Sequence, residues 1–346
     1  MKKNKNHEPD FWNYARNFLH IYMSNVRNLS QRSIDTYKQS LNCYLDFLEK
    51  CRNIRRPEVS FDCFSRDSFK DYVTWMLEQK KFSSKTCNLR MTAIKSFLKY
   101  SSEEDITLVS VYHEACKIHD LKNEKKPILY LTHEEMSTLL KMPETDTLKG
   151  RRNRMLLILL YDSAARVQEL VDITLKDLHI DDKSPFITLT GKGNKTRNVP
   201  LMEKTVRHLH SYLREFHADI RMNDGNRPLF YSNLDGKPHA LSTDSISLIL
   251  KKYADLSRKE CPDMLEKIHC HLIRKTRAMD LYRQGIALPL VMQILGHESM
   301  ATTSSFYAFA TVDMLHDAME KANPEISKEI PQWKNVKYLN ILYSLD

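Results

Sequence analysis

Four residues toward the C-terminal end of the chain combine acid–base, anion-binding and nucleophilic groups in a fixed order. His271 and Arg274 open a stretch with helical periodicity, His297 follows in a Leu-Gly-His tripeptide, and Tyr307 comes ten positions later. A guanidinium binds phosphate oxygens through paired hydrogen bonds and stays ionised. A tyrosine hydroxyl, with a pKa of about 10, is a far better leaving group than a serine hydroxyl. This set favours reversible phosphoryl transfer.

Two upstream segments offer the further groups that such a reaction requires. Phosphoryl transfer of this kind needs a second cation at the phosphate and an acid that protonates the leaving group. Arg166 lies in the segment Asp-Ser-Ala-Ala-Arg-Val-Gln-Glu-Leu, with Glu169 three residues later. Lys192 lies between two glycines in Gly-Lys-Gly-Asn-Lys-Thr-Arg-Asn-Val-Pro-Leu, which also contains Lys195 and Arg197.

Together these segments resemble the active-site boxes of the tyrosine recombinases, also called the phage integrase family. Each box alone is common by chance, but four boxes in the right order and at the right separations are specific. The resemblance implies that the chain cuts and rejoins DNA through a 3′-phosphotyrosyl intermediate. It covers about residues 130–320 closely and residues 8–118 more loosely.

The resemblance also implies a role for each matching residue. Arg166 and Arg274 would bind the scissile phosphate, and Lys192 would be the general acid. His271 and His297 would bind the phosphate and help to position or deprotonate the nucleophile, Tyr307. Glu169 would orient these groups, whereas Lys195 and Arg197 would contact backbone phosphates.

The match has departures from the family pattern. Lys275 follows Arg274 where histidine is commoner, and Ala164-Ala165 precede Arg166 where a Gly-Leu pair is typical. Neither change removes a catalytic group. The chemistry of the residues alone leaves two neighbouring hydroxyls, those of Ser304 and Ser305, as alternatives to Tyr307, which the family match selects.

Charge and composition agree with a nucleic-acid partner. Lys and Arg number 53 against 44 Asp and Glu, a surplus of 9, and the pI is near 9.0. Such a surplus favours a polyanion, because binding releases condensed counterions; a merely basic soluble surface is the alternative. No run of 18 apolar residues and no signal-peptide pattern is present, so we expect no membrane association and a cytoplasmic, nucleoid-associated protein.

The sequence predicts no cofactor and no metal. The seven cysteines are scattered and never in C-x-x-C spacing, which indicates reduced thiols. A metal site could be read from His269-Cys270-His271, but no carboxylate or second cysteine pair stands nearby at ligand spacing.

The predicted fold is mainly α with a small β-sheet. Apolar residues recur at helical spacing from Ser30 to Lys50, and similar helices are expected near 10–24, 65–79, 84–100 and 103–118. Thr132 and Glu135 form a capping-box pattern, and Phe186–Thr190 and Arg197–Leu201 read as a strand pair. With the resemblance, these elements imply a helical core-binding domain over 1–118, a charged linker over 119–130, a mixed α/β catalytic domain over 131–322 and a tail over 323–346. The resemblance also implies that the two domains close as a clamp around DNA.

The resemblance also implies how the chain meets its substrate. The first domain would grip DNA through Arg32, Lys38, Lys85 and Arg90. The partner would be double-stranded DNA with paired inverted half-sites, bound by a homodimer that forms a homotetramer in the synaptic complex, with an accessory recombinase or DNA-bending protein as a further partner. The alternatives are a type IB topoisomerase, which uses similar chemistry on one duplex, and a catalytically silent DNA-binding protein.

Overall fold

The computed structural model describes residues 10–123, 129–218, 224–234, 236–296 and residue 319, without the side chains of Lys192 and Leu234. The chain divides into two compact units, Met1–Lys126 and Pro127–Asp346, and the division falls inside the segment predicted as a linker. Each unit has its own apolar core. The predicted fold class, mainly helical with small antiparallel sheets, is confirmed.

In its described residues, the first unit contains helices joined by loops and no strand. Its α-helices are α1 (Phe11–Asn17), α2 (Gln31–Arg52), α3 (Arg66–Glu78), α4 (Ser84–Glu104) and α5 (Val109–Cys116), and a π-helical segment, Phe18–Val26, continues α1. The helices predicted for this region are therefore present, except that the last is shorter: a 3₁₀ turn, Ile106–Leu108, precedes α5. Ser65 and Ser83 cap α3 and α4 by accepting hydrogen bonds from backbone amides.

Aromatic side chains fill the core of the first unit. Tyr44 and Phe69 are fully buried, and Trp75 is 4% exposed. The ring of Tyr44 meets that of Tyr72 edge to face at 4.9 Å, and Trp75 packs against Phe47 at 5.7 Å. Rings at such spacings favour one arrangement over others, which gives this core a defined packing.

The second unit combines helices with two antiparallel sheets. Its elements are α6 (His133–Lys141), α7 (Leu148–Asp162), α8 (Val167–Asp172), β1 (Leu178–His179), β2 (Phe186–Thr190), β3 (Thr196–Pro200), α9 (Glu203–Phe216), β4 (Tyr231–Leu234), β5 (Lys237–Ala240), α10 (Thr243–Ser257), α11 (Cys270–Arg283) and α12 (Leu288–Leu295). The predicted capping box opens α6, where the hydroxyl of Thr132 accepts from the amide of Glu135. The predicted strand pair is present as β2 and β3, whereas β1 and the β4–β5 hairpin were not anticipated.

Helix α7 lies in the core of the second unit and ends in a polar junction. Leu156, Leu159 and Leu160 on this helix are fully buried. At its last residue, Asp162 accepts hydrogen bonds from the guanidinium of Arg277 at 2.9 Å and from the amide of Met202 at 3.0 Å. The junction joins α7 to α11 and to the start of α9. It thereby fixes α11, the helix that carries His271 and Arg274.

The β2–β3 register decides which side chains of the hairpin face the core. Ile187 pairs with Val199, and Leu189 pairs with Arg197. Because side chains alternate along a strand, Arg197 lies on the same face as the buried Val199, while Thr196 and Asn198 are exposed.

Candidate active site

Glu169 is the centre of the polar cluster in the second unit. Its side chain is 3% exposed, and its carboxylate receives hydrogen bonds from Arg166 at 2.7 Å and from Arg197 at 2.9 and 2.7 Å. A third guanidinium, that of Arg274, lies 3.7 Å away. Burial by itself would raise the pKa of Glu169, but the hydrogen bonds from Arg197 and Arg166 outweigh it and lower the pKa to about 2. The carboxylate is therefore ionised at any pH at which the protein works.

The turn into α8 places Arg166 beside Glu169. Arg166 is extended and caps α8, and its amide donates to the carboxylate of Glu169 at 2.8 Å. Two residues earlier, Ala164 has φ 49°, in the left-handed region. This backbone conformation gives a physical reason why glycine is typical of the family at that position. The side chain of Arg166 is 44% exposed, so part of its guanidinium faces solvent.

Arg274, in contrast, is almost fully enclosed. Its side chain is 2% exposed; one nitrogen donates to the carbonyl of Ala164 at 2.7 Å and another donates to the carbonyl of Leu295. Burial and the positive charge of Arg166 lower its pKa to about 9, against the opposing effect of Glu169. The guanidinium therefore still carries its charge at neutral pH.

All three arginines donate hydrogen bonds to the C-terminal end of α12. The carbonyls of Ile294, Leu295 and Gly296 accept hydrogen bonds from Arg197, Arg274 and Arg166, at 2.8 Å for the first and 3.4 Å for the last. The last carbonyls of an α-helix have no hydrogen-bond partner within the helix and lie at the negative end of its dipole, so cations bind well there. Gly296 caps the helix with φ 61°, in the left-handed region that favours glycine.

The hairpin that carries Lys192 begins at the same cluster. The amide of Gly191 donates to the carbonyl of Lys195 at 2.8 Å, which closes the turn. A β-carbon added to Gly191 would lie 3.2 Å from a Glu169 oxygen and 3.8 Å from an Arg166 nitrogen. The backbone therefore places Gly191, which directly precedes Lys192 in the chain, next to Arg166, although the side chain of Lys192 lies outside the described residues.

His271 lies in the first turn of α11. Partial burial and the nearby charges of Lys275, Arg274, His269 and Arg166 lower its pKa below the ordinary 6.5. The ring is therefore neutral at pH 7 and able to accept a proton. His269 has a separate function: its Nδ1 accepts from the amide of Leu272 and caps the helix.

The structure thus brings Arg166, Glu169, Arg274 and Gly191, the residue before Lys192, together, with His271 within electrostatic range. His297 and Tyr307 lie outside the described residues, but His297 directly follows Gly296 in the chain. In the described part of the chain, no three His, Cys, Asp or Glu side chains gather as metal ligands. Within the same residues, no helix is long and apolar enough to cross a bilayer.

Two residues that were expected to contact DNA, Arg197 and Arg90, are partly buried and bond to protein groups. The side chain of Arg197 is 11% exposed and donates hydrogen bonds to Glu169 and to the carbonyl of Ile294. Its guanidinium therefore points into the protein and away from a backbone phosphate. Arg90 is half-buried; it donates to the carbonyl of Gln39 and stacks over the ring of Phe82 at 5.0 Å.

The other predicted DNA contacts, Lys195, Arg32, Lys38 and Lys85, are exposed. The inward position of Arg197 could have been found from strand alternation, since it stands two residues from the apolar Val199.

Comparison with known proteins identifies the class that this fold and site define. Residues 129–313 match the phage integrase family and residues 17–108 match its N-terminal SAM-like domain. The chain is 28% identical to tyrosine recombinase XerC of Chlamydia caviae over 88% of this chain and 96% of that protein. It is also 28% identical to XerC of Staphylococcus haemolyticus over 88% and 94% of the two chains.

Solved structures share the fold. The Tn1549 transposon integrase bound to transposon right-end DNA superposes with a TM-score of 0.66 at 18% identity, over 88% of this chain and 98% of that one. XerH recombinase bound to a palindromic difH substrate gives 0.64 at 22% identity, over 85% and 81%.

The chain therefore belongs to the phage integrase family. Its activity is site-specific DNA recombination, in which DNA strands are cleaved and religated. The relatives named above are recombinases and integrases, and they give no support to the topoisomerase or the catalytically silent alternative.

Proposed function

We propose that Tyr307 is the nucleophile of strand cleavage and that Arg166, Lys192, His271, Arg274 and His297 complete the active site. The observation that carries this proposal is the cluster around Glu169. It gathers Arg166 and Arg274 at the end of α12, where the chain continues into His297, and it contacts the base of the hairpin that carries Lys192.

Arg166 and Arg274 would have different functions at the phosphate. Arg166 is partly exposed, so its guanidinium can meet a phosphate oxygen as DNA binds. Arg274 is enclosed by carbonyls and supplies positive charge from within the protein. Charge that develops on the non-bridging oxygens is stabilised most by such pre-oriented donors in a site with little water.

Proton transfer completes the reaction. The Tyr307 oxygen attacks phosphorus, the bond to the 5′ oxygen breaks, and Lys192 donates a proton to that leaving oxygen. The neutral ring of His271 is able to accept the phenolic proton, because its pKa lies below the ordinary value. Religation follows the same steps in reverse, and the bond energy is kept in the 3′-phosphotyrosyl linkage. The scheme uses no cofactor and no metal.

The test is the Tyr307→Phe variant on a nicked duplex that traps the covalent intermediate. We expect loss of the denaturant-resistant protein–DNA adduct with nearly unchanged duplex affinity, since binding rests on many phosphate contacts. An adduct that persists in the variant would place the nucleophile elsewhere, with Ser304 and Ser305 tested next.

The proposed substrate is double-stranded DNA with two inverted half-sites. One protomer would bind each half-site, with residues 1–118 and 131–322 as the two DNA-binding parts, and two dimers would form the synaptic tetramer. The XerH complex on a palindromic site and a lambda integrase tetramer on a Holliday junction support this arrangement by analogy. The net charge of +9 favours the polyanionic substrate, which would place the protein at the nucleoid in the cytoplasm. An accessory recombinase or DNA-bending protein would be a further partner.

A further inference from the structure

Arg197 connects three elements of the active site through a single side chain. From β3, two of its nitrogens donate to the two oxygens of Glu169 on α8, at 2.9 and 2.7 Å. Its Nε donates to the carbonyl of Ile294 on α12 at 2.8 Å. Gly296 lies directly against it: a β-carbon added there would be 3.0 Å from Cδ of Arg197. All three side-chain nitrogens of Arg197 therefore donate inside the protein.

The connected elements lead to residues that the proposed chemistry uses. Strand β3 is the second arm of the hairpin that carries Lys192, and α12 ends immediately before His297. Glu169, between them, also holds Arg166. A displacement of Arg197 would therefore change the positions of the general acid, the second histidine and the phosphate-binding arginine relative to one another.

We propose that Arg197 is a positioning residue for strand cleavage, an inference that rests on the proposed function of the site. Its fork fixes the orientation of the Glu169 carboxylate, and its Nε fixes the end of α12. The hairpin and the chain entering His297 are thereby held in one geometry around Arg166 and Arg274. DNA phosphate is not its ligand.

Lysine cannot reproduce this arrangement, although it keeps the charge. An ammonium group is a compact donor without the planar fork that matches both oxygens of a carboxylate. It also lacks a nitrogen at the position of Nε. An Arg197→Lys variant therefore tests geometry separately from charge, and Arg214→Lys on the exposed face of α9 is the matched control.

The experiment measures two quantities for each variant. The first is the single-turnover cleavage rate on the nicked duplex at saturating DNA, which we expect to fall by about 10²-fold for Arg197→Lys, the effect of a misplaced reactive group. The second is the salt dependence of half-site affinity, expected to keep the wild-type slope, whereas loss of one phosphate contact lowers the slope by about 0.9. Arg214→Lys should change neither quantity.

A wild-type cleavage rate in a folded Arg197→Lys variant would overturn the inference, as would a slope reduced by about one contact. If that variant fails to fold, the double variant Glu169→Gln with Arg197→Gln removes the two charges of this ion pair together, and each single change is measured beside it. If the two residues act together, the loss of cleavage rate in the double variant differs from the combined losses of the two single variants. Losses that simply add, as free energies, contradict the inference. A wild-type chain that forms no adduct would instead contradict the proposed function.

Discussion

At the scale of single residues, the departure at position 275 adds to the effect of burial in lowering the pKa of a predicted catalytic histidine. Apart from burial, the charge of Lys275 is the largest cause of the lowered pKa of His271. A neutral residue there would leave His271 easier to protonate. Lys275 therefore helps to keep the ring in the form that can accept a proton.

We predict that Lys275→Gln raises the pKa of His271 toward the ordinary value. In the wild type the lowered pKa keeps the ring neutral to a lower pH than an ordinary histidine, whereas in the variant protonation sets in at higher pH. If cleavage needs the neutral ring, the acid limb of the pH–rate profile moves to higher pH by the same amount. NMR titration of His271 gives the first quantity, and single-turnover cleavage across pH gives the second.

Lys259→Gln is the control for this prediction, because Lys259 is exposed and does not contribute to the shift at His271. An unchanged titration midpoint in Lys275→Gln would show that burial and the remaining charges set the pKa without Lys275. A raised midpoint with an unchanged pH–rate profile would remove His271 from the proton-accepting role.

At the scale of elements, the C-terminal end of α12 binds three arginine side chains. Three successive carbonyls accept from three different guanidiniums, and Gly296 allows Arg197 to pass close to the backbone. The left-handed conformation at Gly296 and the close approach of Arg197 are two separate reasons for glycine. A substitution at another glycine, one that has positive φ but no close neighbour, can separate the effects of backbone conformation and of contact.

We predict that Gly296→Ala lowers stability at least as much as Gly236→Ala and that the two variants affect cleavage differently. Both residues have positive φ, 61° and 75°, where an L-residue costs about 1–2 kcal/mol. A β-carbon at Gly236 meets nothing within 4 Å, whereas at Gly296 it would lie 3.0 Å from Cδ of Arg197. Only Gly296→Ala should therefore slow cleavage, by about 10²-fold.

Chemical denaturation and single-turnover cleavage, measured on both variants, check the two parts of this prediction. Equal cleavage by the two variants would mean that Arg197 yields to the added methyl group. A slow Gly236→Ala variant would mean that strain alone, and not the contact with Arg197, impairs the reaction.

The elements were largely predictable from sequence because their signals are local. Helical periodicity, the capping pair Thr132 and Glu135, and the glycine turn of the β2–β3 hairpin each act within a few residues. Strands β1, β4 and β5 are only two to four residues long, too short for a periodic pattern. The three arginines gathered at the end of α12 could not be predicted, because these contacts join residues as many as 130 positions apart.

At the scale of the whole molecule, we propose that the segment after the predicted nucleophile couples assembly to catalysis. Residues 323–346 contain Pro324 and Pro331, followed by Trp333, Val336, Leu339 and Tyr343 at helical spacing. This segment lies outside the described residues. An apolar stripe needs a partner, either its own domain or, as we propose, a neighbouring protomer on the DNA.

We predict that truncation after Asn323 leaves binding of one protomer to a half-site intact but removes cooperative binding, synapsis and recombination. The truncated chain keeps every residue proposed for the reaction and lacks only the apolar stripe. Gel shifts on half-sites and on full sites separate the two effects. Unchanged cooperativity in the truncated protein would mean that the tail packs on its own domain.

The aromatic core of the first unit has a consequence for spectroscopy. The three tryptophans of the chain are Trp12, Trp75 and Trp333, so residues 127–322, which include every residue proposed for catalysis, contain none. Trp75 is 4% exposed, and Lys80 lies over its ring at 5.1 Å. With Trp333 replaced by phenylalanine, a shift of the tryptophan emission to longer wavelength therefore reports the opening of the first unit, while circular dichroism follows the helices of both units. Comparing the two signals during unfolding shows whether the halves of the protein lose their structure together.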